Sequence, residues 1–192
     1  TAMPEFSSFG AIEMSYLSLI EVDARGRSRR VELFADDRLG EAVVRLYERH
    51  AELLPDGPAR NRIAAIARAI AAHLGPFDPA CHATAYAPAI EAVDHRVLGT
   101  WSARGAEAVL HHERSLLDVA NDVVFRDDDI LGLTSDAFLV RRIHVGTDRA
   151  GGGSYERLFL ILSVFGTDGL VTRMEYFDAD REDEALARFD EL

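Results

Sequence analysis

The sequence predicts an α+β fold in which helices pack on the concave face of a curved antiparallel sheet. Three observations carry that expectation. From about residue 59 the apolar spacing reads helix, strand, helix, then a run of four strands. Glycine- and proline-bearing breaks separate those elements. An internal repeat also places a second hairpin and helix near the start of the chain.

The repeat keeps register without a gap. The offset that moves Gly26 onto Gly169 pairs Arg30 with Arg173, Glu32 with Glu175 and Phe34 with Phe177. It also pairs Asp37-Arg38 with Asp180-Arg181, Glu41-Ala42 with Glu184-Ala185, Arg45 with Arg188 and Glu48 with Glu191. Upstream it carries Gly10, Glu13, Leu17 and Leu19 onto Gly153, Glu156, Leu160 and Leu162. Three segments are therefore expected: a tag remnant at 1–6, a partial repeat at 7–58 forming the end of a preceding copy, and a complete domain at 59–192.

Within 59–192 a helix over 60–74 presents Ile63, Ile66, Ala67, Ile70 and Leu74, and Gly75-Pro76 stops it. A loop with Cys81 and Tyr86 leads to a strand over 90–98, which Gly99-Thr100 breaks. A helix over 106–120 follows, with Ala106, Val109, Leu110, Leu116, Leu117 and Ala120 inward. Strands are expected over 123–133, 138–146, 155–165 and 170–177, the middle pair joined through Gly151-Gly152-Gly153. A helix over 180–191, capped by Asp178 or Asp180, closes the chain.

This order, with Val93-Asp94-His95-Arg96-Val97-Leu98-Gly99, Gly105-Ala106-Glu107-Ala108, Asp168-Gly169-Leu170-Val171-Thr172-Arg173 and Glu175-Tyr176-Phe177-Asp178-Ala179-Asp180, resembles the SnoaL-like branch of the nuclear transport factor 2-like superfamily. The resemblance covers about residues 60–192 and implies a cone-like roll enclosing a cavity. It also implies an accessory domain of a large actinobacterial regulator. Ketosteroid isomerase-like and polyketide cyclase-like members of that group move a proton alpha to a carbonyl with a carboxylate or histidine.

Composition narrows the function classes. The 192 residues carry 21 Lys and Arg against 33 Asp and Glu, a net charge of −12 that excludes a basic nucleic-acid groove. No apolar run is long enough to span a membrane. One cysteine, Cys81, rules out an intrachain disulfide and fits a cytoplasmic setting.

The candidate site residues are polar groups on apolar faces. His95, between Val93 and Val97, is expected to face the cavity as acid or base. Glu113 falls inside the apolar stripe of its helix, so it either pairs with an arginine or lines a polar cavity. Trp101 and Tyr155 are candidate ligand-orienting residues. A turn centred near Ala150 sets His144 opposite Glu156, one face then carrying Arg142, His144, Glu156, Arg173 and Glu175. The other face carries Arg141, Tyr155, Arg157, Phe159, Ile161, Met174 and Tyr176. A one-residue slip reverses that assignment, so Arg141 and His144 are both pocket candidates. Arg173 and Glu175 read as a structural pair, because the partial repeat also holds them. The run Asp127-Asp128-Asp129 reads as a solvated strand end and the glycine tip as flexible; no metal site or cofactor is expected.

Two functions follow. The first is a non-catalytic domain that binds a small apolar ligand or self-associates, as a homodimer or against other domains of a parent protein. The second is a cofactor-independent isomerase, cyclase or hydratase with His95 as base and Glu113 as a second acid–base group.

Overall fold

The computed structural model describes residues 15–99 and 101–192. The tag-remnant reading of 1–6 and the repeat matches at Gly10 and Glu13 lie outside the described residues.

Strands β1 (Tyr16–Val22) and β2 (Ser28–Ala35) form a separate antiparallel hairpin, followed by helices α1 (Leu39–Leu53) and α2 (Pro58–Ala72). After the two-residue strand β3 (Gly75–Pro76) comes a short helix, α3 (Pro79–Ala83), in the stretch expected to be loop. Asp78 makes it: its Oδ1 accepts the Ala80 N–H at 2.8 Å, and Pro79 supplies a preset φ at the first helical position. Then follow β4 (Tyr86–Asp94), β5 (Ser102–Arg104), α4 (Ala106–Arg114) and α5 (Leu116–Val119). Strands β6 (Ala120–Leu133), β7 (Ala137–Asp148), β8 (Ser154–Phe165) and β9 (Val171–Asp178) lead to the closing helix α6 (Glu182–Asp190). The expected helix over 106–120 is thus two pieces. Ser115 breaks it by turning its hydroxyl onto the His112 carbonyl at 2.6 Å, and Ala120 is already extended against Asp148.

The main sheet runs β3-β6-β7-β8-β9-β4-β5. It is antiparallel except where β4 lies parallel to β9. Alternation sorts each strand between two faces. Phe138 and Val140 of β7, Phe159 and Ile161 of β8, and Met174 and Tyr176 of β9 meet Ile63, Ile66 and Ile70 of α2 and Val109 of α4 in the larger core. Leu139, Leu160, Leu162 and Phe177 point the other way and pack on Ala185, Leu186 and Phe189 of α6. The closing helix therefore covers the face opposite the other helices, a departure from helices on one face only. Each large apolar side chain so buried contributes roughly 1.5–3 kcal/mol.

The two hairpins share their register. Leu17 faces Phe34 as Leu160 faces Phe177, and Leu19 faces Glu32 as Leu162 faces Glu175. Both shift register one residue before the turn, at Glu21/Val22 and at Val164/Phe165. Gly26 and Gly169 hold φ of 74° and 80° at equivalent turn positions. The ion pairs repeat as well: Arg30 and Arg45 on Glu32 mirror Arg173 and Arg188 on Glu175. Among the described residues no helix is long and apolar enough to cross a membrane.

Candidate functional site

The cavity lies between the inner sheet face and helices α2, α3 and α4. Its volume is about 60 Å³, room for a few waters or the polar end of a small ligand. A wider groove of about 480 Å³ adjoins it, and the two share Arg96, Trp101, His112, Leu116 and Arg157. Trp101 and His112 stack at 3.7 Å between ring centroids, so this pair stands at the junction.

Three helices converge on the inner wall. His73 follows the last turn of α2, His82 sits in α3 and Glu113 in the last turn of α4; all three are buried. His73 Nδ1 lies 2.7 Å from the Ala69 carbonyl and Nε2 lies 2.9 Å from the Tyr86 hydroxyl. That hydroxyl lies 2.5 Å from Glu113 Oε1, and His82 Nδ1 lies 3.1 Å from Glu113 Oε2. No arginine reaches Glu113 among the described residues. Of the two roles open to it, the structure has the cavity wall.

The opposite wall is the sheet. His144 stacks on Phe125 at 3.8 Å, and Arg142 pairs with Asp127 at 2.6 Å, the arginine and the aspartate both buried. Asp127 is therefore not a solvated strand end; a register irregularity between Asp127 and Asp129 turns it inward. Burial, then the charges of Arg142 and Arg157, push the His144 imidazole well below its usual pKa. Burial, then His82 and Arg142, do the same to His73. Burial, then Arg96, lowers His112. At neutral pH these three rings are uncharged. Burial and the neighbouring Glu113 hold the Tyr86 hydroxyl well above the usual phenol range.

Several expected site residues lie elsewhere. His95 is beyond the end of β4, on the α6 side of the sheet. Its ring stacks on Phe177 at 4.7 Å and its Nε2 lies 2.7 Å from Glu175 Oε2, so it belongs to the ionic cluster of Glu175, Arg173 and Arg188. The strand ends too early to place it between two inward valines. Arg141 donates to Glu182 of α6 at 2.6 Å and is likewise outside the cavity. Tyr155 packs on Ala120, Val123 and Phe125 without lining it. Trp101 and His144 do line it. The β7–β8 register explains the exchange: His144 faces Arg157, one residue from the expected Glu156, which puts Arg142 and His144 on the face of Phe159 and Tyr176.

His73 and His82 each carry a signal in the sequence. His73 continues the Ile66–Ile70 stripe by three residues, and Asp78-Pro79 is a helix start. His73, His82 and Glu113 each offer a donor atom, all within 4.8 Å of one another, a spacing a cation can use. The Tyr86 hydroxyl, however, already contacts donor atoms of His73 and Glu113.

No family model matches the sequence, and no match is found among curated proteins. Similar solved structures include an NTF2-like protein from Burkholderia thailandensis, 23% identical over 69% of this chain and 98% of that one, with a TM-score of 0.49. A ketosteroid isomerase-like hypothetical protein from Catenulispora acidiphila, in complex with trimethylamine, is 16% identical over 58% and 82%, at 0.48. A phenazine biosynthesis-related protein from Pseudomonas aeruginosa is 16% identical over 72% and 92%, also at 0.48. Others are described as SnoaL-like or NTF2-like. These are structures to which the chain is similar. Here the inner sheet face closes a cavity with α2, α3 and α4, and Glu113 sits on its helical wall.

Proposed function

We propose that this domain binds a small, largely apolar molecule whose polar end enters the cavity past Trp101, and that Glu113 with His82 exchanges a proton with it. The observation that carries the reading is a carboxyl buried on the cavity wall with only a phenol and an imidazole as partners. A buried carboxyl used for stability alone is normally matched to a cation, as Glu175 and Asp127 are here. Two further features support a ligand with an acceptor oxygen. Trp101 Nε1 is a buried donor with no acceptor among the described residues. Arg157, exposed at the groove, has no carboxylate within ion-pair distance among them.

The test is hydrogen–deuterium exchange at the carbon alpha to the carbonyl of 2-cyclohexen-1-one in heavy water, followed by NMR. Faster exchange with the wild-type protein, lost in Glu113→Gln and kept in His95→Ala, supports the reading. Equal exchange in all three contradicts proton transfer.

We also propose that residues 16–53 close a preceding copy of the same fold, in a larger cytoplasmic regulator. The shared register and ion pairs support this, and so does exposure. Tyr16, Val31 and Leu33 are 59%, 53% and 63% exposed, whereas their counterparts Phe159, Met174 and Tyr176 are 2%, 1% and 8%. Placing residues 58–153 ahead of residue 11 would complete a second cone. Hydrogen exchange of β2 amides is expected to slow on that fusion; unchanged exchange contradicts the reading.

A further inference from the structure

We propose that the end of the ligand left at the junction of cavity and groove is a carboxylate held by Arg157 and Arg96, so that the domain takes a small apolar carboxylic acid. The proposal rests on the cavity reading above and names the ligand class for that same site.

The two arginines reach the junction from different strands. On β8, alternation puts Arg157 on the inner face with Phe159 and Ile161, opposite His144 of β7. Arg96 follows the end of β4, and its guanidinium carbon lies over the rings of Tyr176 and Phe159 at 5.5 and 5.9 Å. Both side chains line the cavity and the groove.

Their free donors set what can bind. Arg96 Nε and Nη2 donate to the two oxygens of the buried Asp94 carboxylate, each at 2.7 Å. That fork and the ring faces hold Arg96 still, and its Nη1 has no partner among the described residues. Arg157 has no carboxylate within ion-pair distance among them. The Tyr155 phenol beside it is uncharged at neutral pH, because burial raises its pKa. Trp101 adds a third donor on the same walls, its buried Nε1.

Charge selects the acceptor. Two guanidinium groups against Asp94 leave one positive charge at the junction, which suits a monoanion and opposes an amine. The other carboxylates of these walls do not cancel it. Asp118 is exposed to water and outside ion-pair distance of either arginine among the described residues, and Glu113 is engaged by Tyr86 and His82. A phosphate monoester would crowd further negative charge against Asp94 and Asp118. A planar carboxylate fits the guanidinium edge, and apolar walls such as Phe159 and Leu116 strengthen the attraction over that of an open surface.

The experiment is calorimetric titration of the full chain, at neutral pH and low salt, with cyclohexanecarboxylate, its uncharged isostere cyclohexanecarboxamide, and cyclohexanone. The acid is expected to bind about tenfold more tightly than the amide, since a charge-assisted contact replaces a neutral one. High salt should shrink that advantage. Arg157→Gln, at an exposed position, should bring the affinity for the acid down to that for the amide, and Arg157→Lys should keep part of the difference. Equal binding of acid and amide overturns the proposal, as does an advantage that survives Arg157→Gln. Cyclohexyl phosphate bound more tightly than the acid overturns it too, because that needs more positive charge than the junction holds. Cyclohexanone bound while the acid gains nothing removes the carboxylate and leaves the cavity reading standing. Binding of none of these probes removes both.

Discussion

Two buried carboxyls on opposite faces of the same sheet do different work. Glu175 is fully buried on the α6 side and meets three basic groups, His95, Arg173 and Arg188. Burial alone would raise its pKa, but His95, Arg188 and Arg173 outweigh that and hold it below the usual carboxylate range. Glu175→Gln leaves cations that are still partly exposed and can regain water. The expected loss is therefore about 1–3 kcal/mol rather than the larger cost of stranding a buried charge, measured by urea denaturation. Cavity binding should not change. Glu113 lacks such cations, and its substitution should act mainly on the site. The sequence pointed to both carboxyls: one through its repeat, the other through its place in an apolar stripe. His95 lies outside the cavity because its strand ends at Asp94, a boundary that alternation between valines does not reveal.

Among elements, the hairpins teach the most about register. Pairing arithmetic from the glycine tip is off by one residue and exchanges faces, because His144 pairs with Arg157 and not with Glu156. Three successive glycines leave the turn centre undefined in sequence, and one residue is enough to swap Arg141 for Arg142. The equivalent turn glycines allow a controlled comparison. Both adopt positive φ, which costs a side chain roughly 1–2 kcal/mol. A methyl at Gly26 meets nothing within 4 Å, whereas one at Gly169 would lie 2.5 Å from the Arg62 carbonyl of α2. Gly169→Ala should therefore lower the melting temperature clearly more than Gly26→Ala. Equal effects would show that α2 does not press on that turn.

At the scale of the whole molecule, the cavity is maintained by uncharged histidines. The folded-state pKa values of His73 and His144 lie well below 6.5, their ordinary value. Between those values the unfolded chain binds more protons than the folded one, so stability rises with pH there. It is complete above about 6.5 and is lost progressively as pH falls below it, by up to roughly 1.4 kcal/mol per pH unit for each ring. Urea midpoints measured from neutral to mildly acidic pH should fall accordingly, and His144→Phe should flatten the slope. The α+β architecture and most of the element order were legible because each rests on local spacing. The meeting of His73, His82, Tyr86 and Glu113 was not, because it arises where α2, α3, β4 and α4 converge, and no single stretch of sequence contains that encounter.

Trp101 is the one tryptophan of the chain, so its indole N–H gives a single resonance at the junction of groove and cavity. Titrating cyclohexanone into the protein while following that resonance tests the site most directly. The account predicts a saturable shift of the indole signal, accompanied by His82 and His144 and abolished by Glu113→Gln, with His95 unmoved. A shift centred on His95, or an indole signal that ignores the ketone, would contradict it.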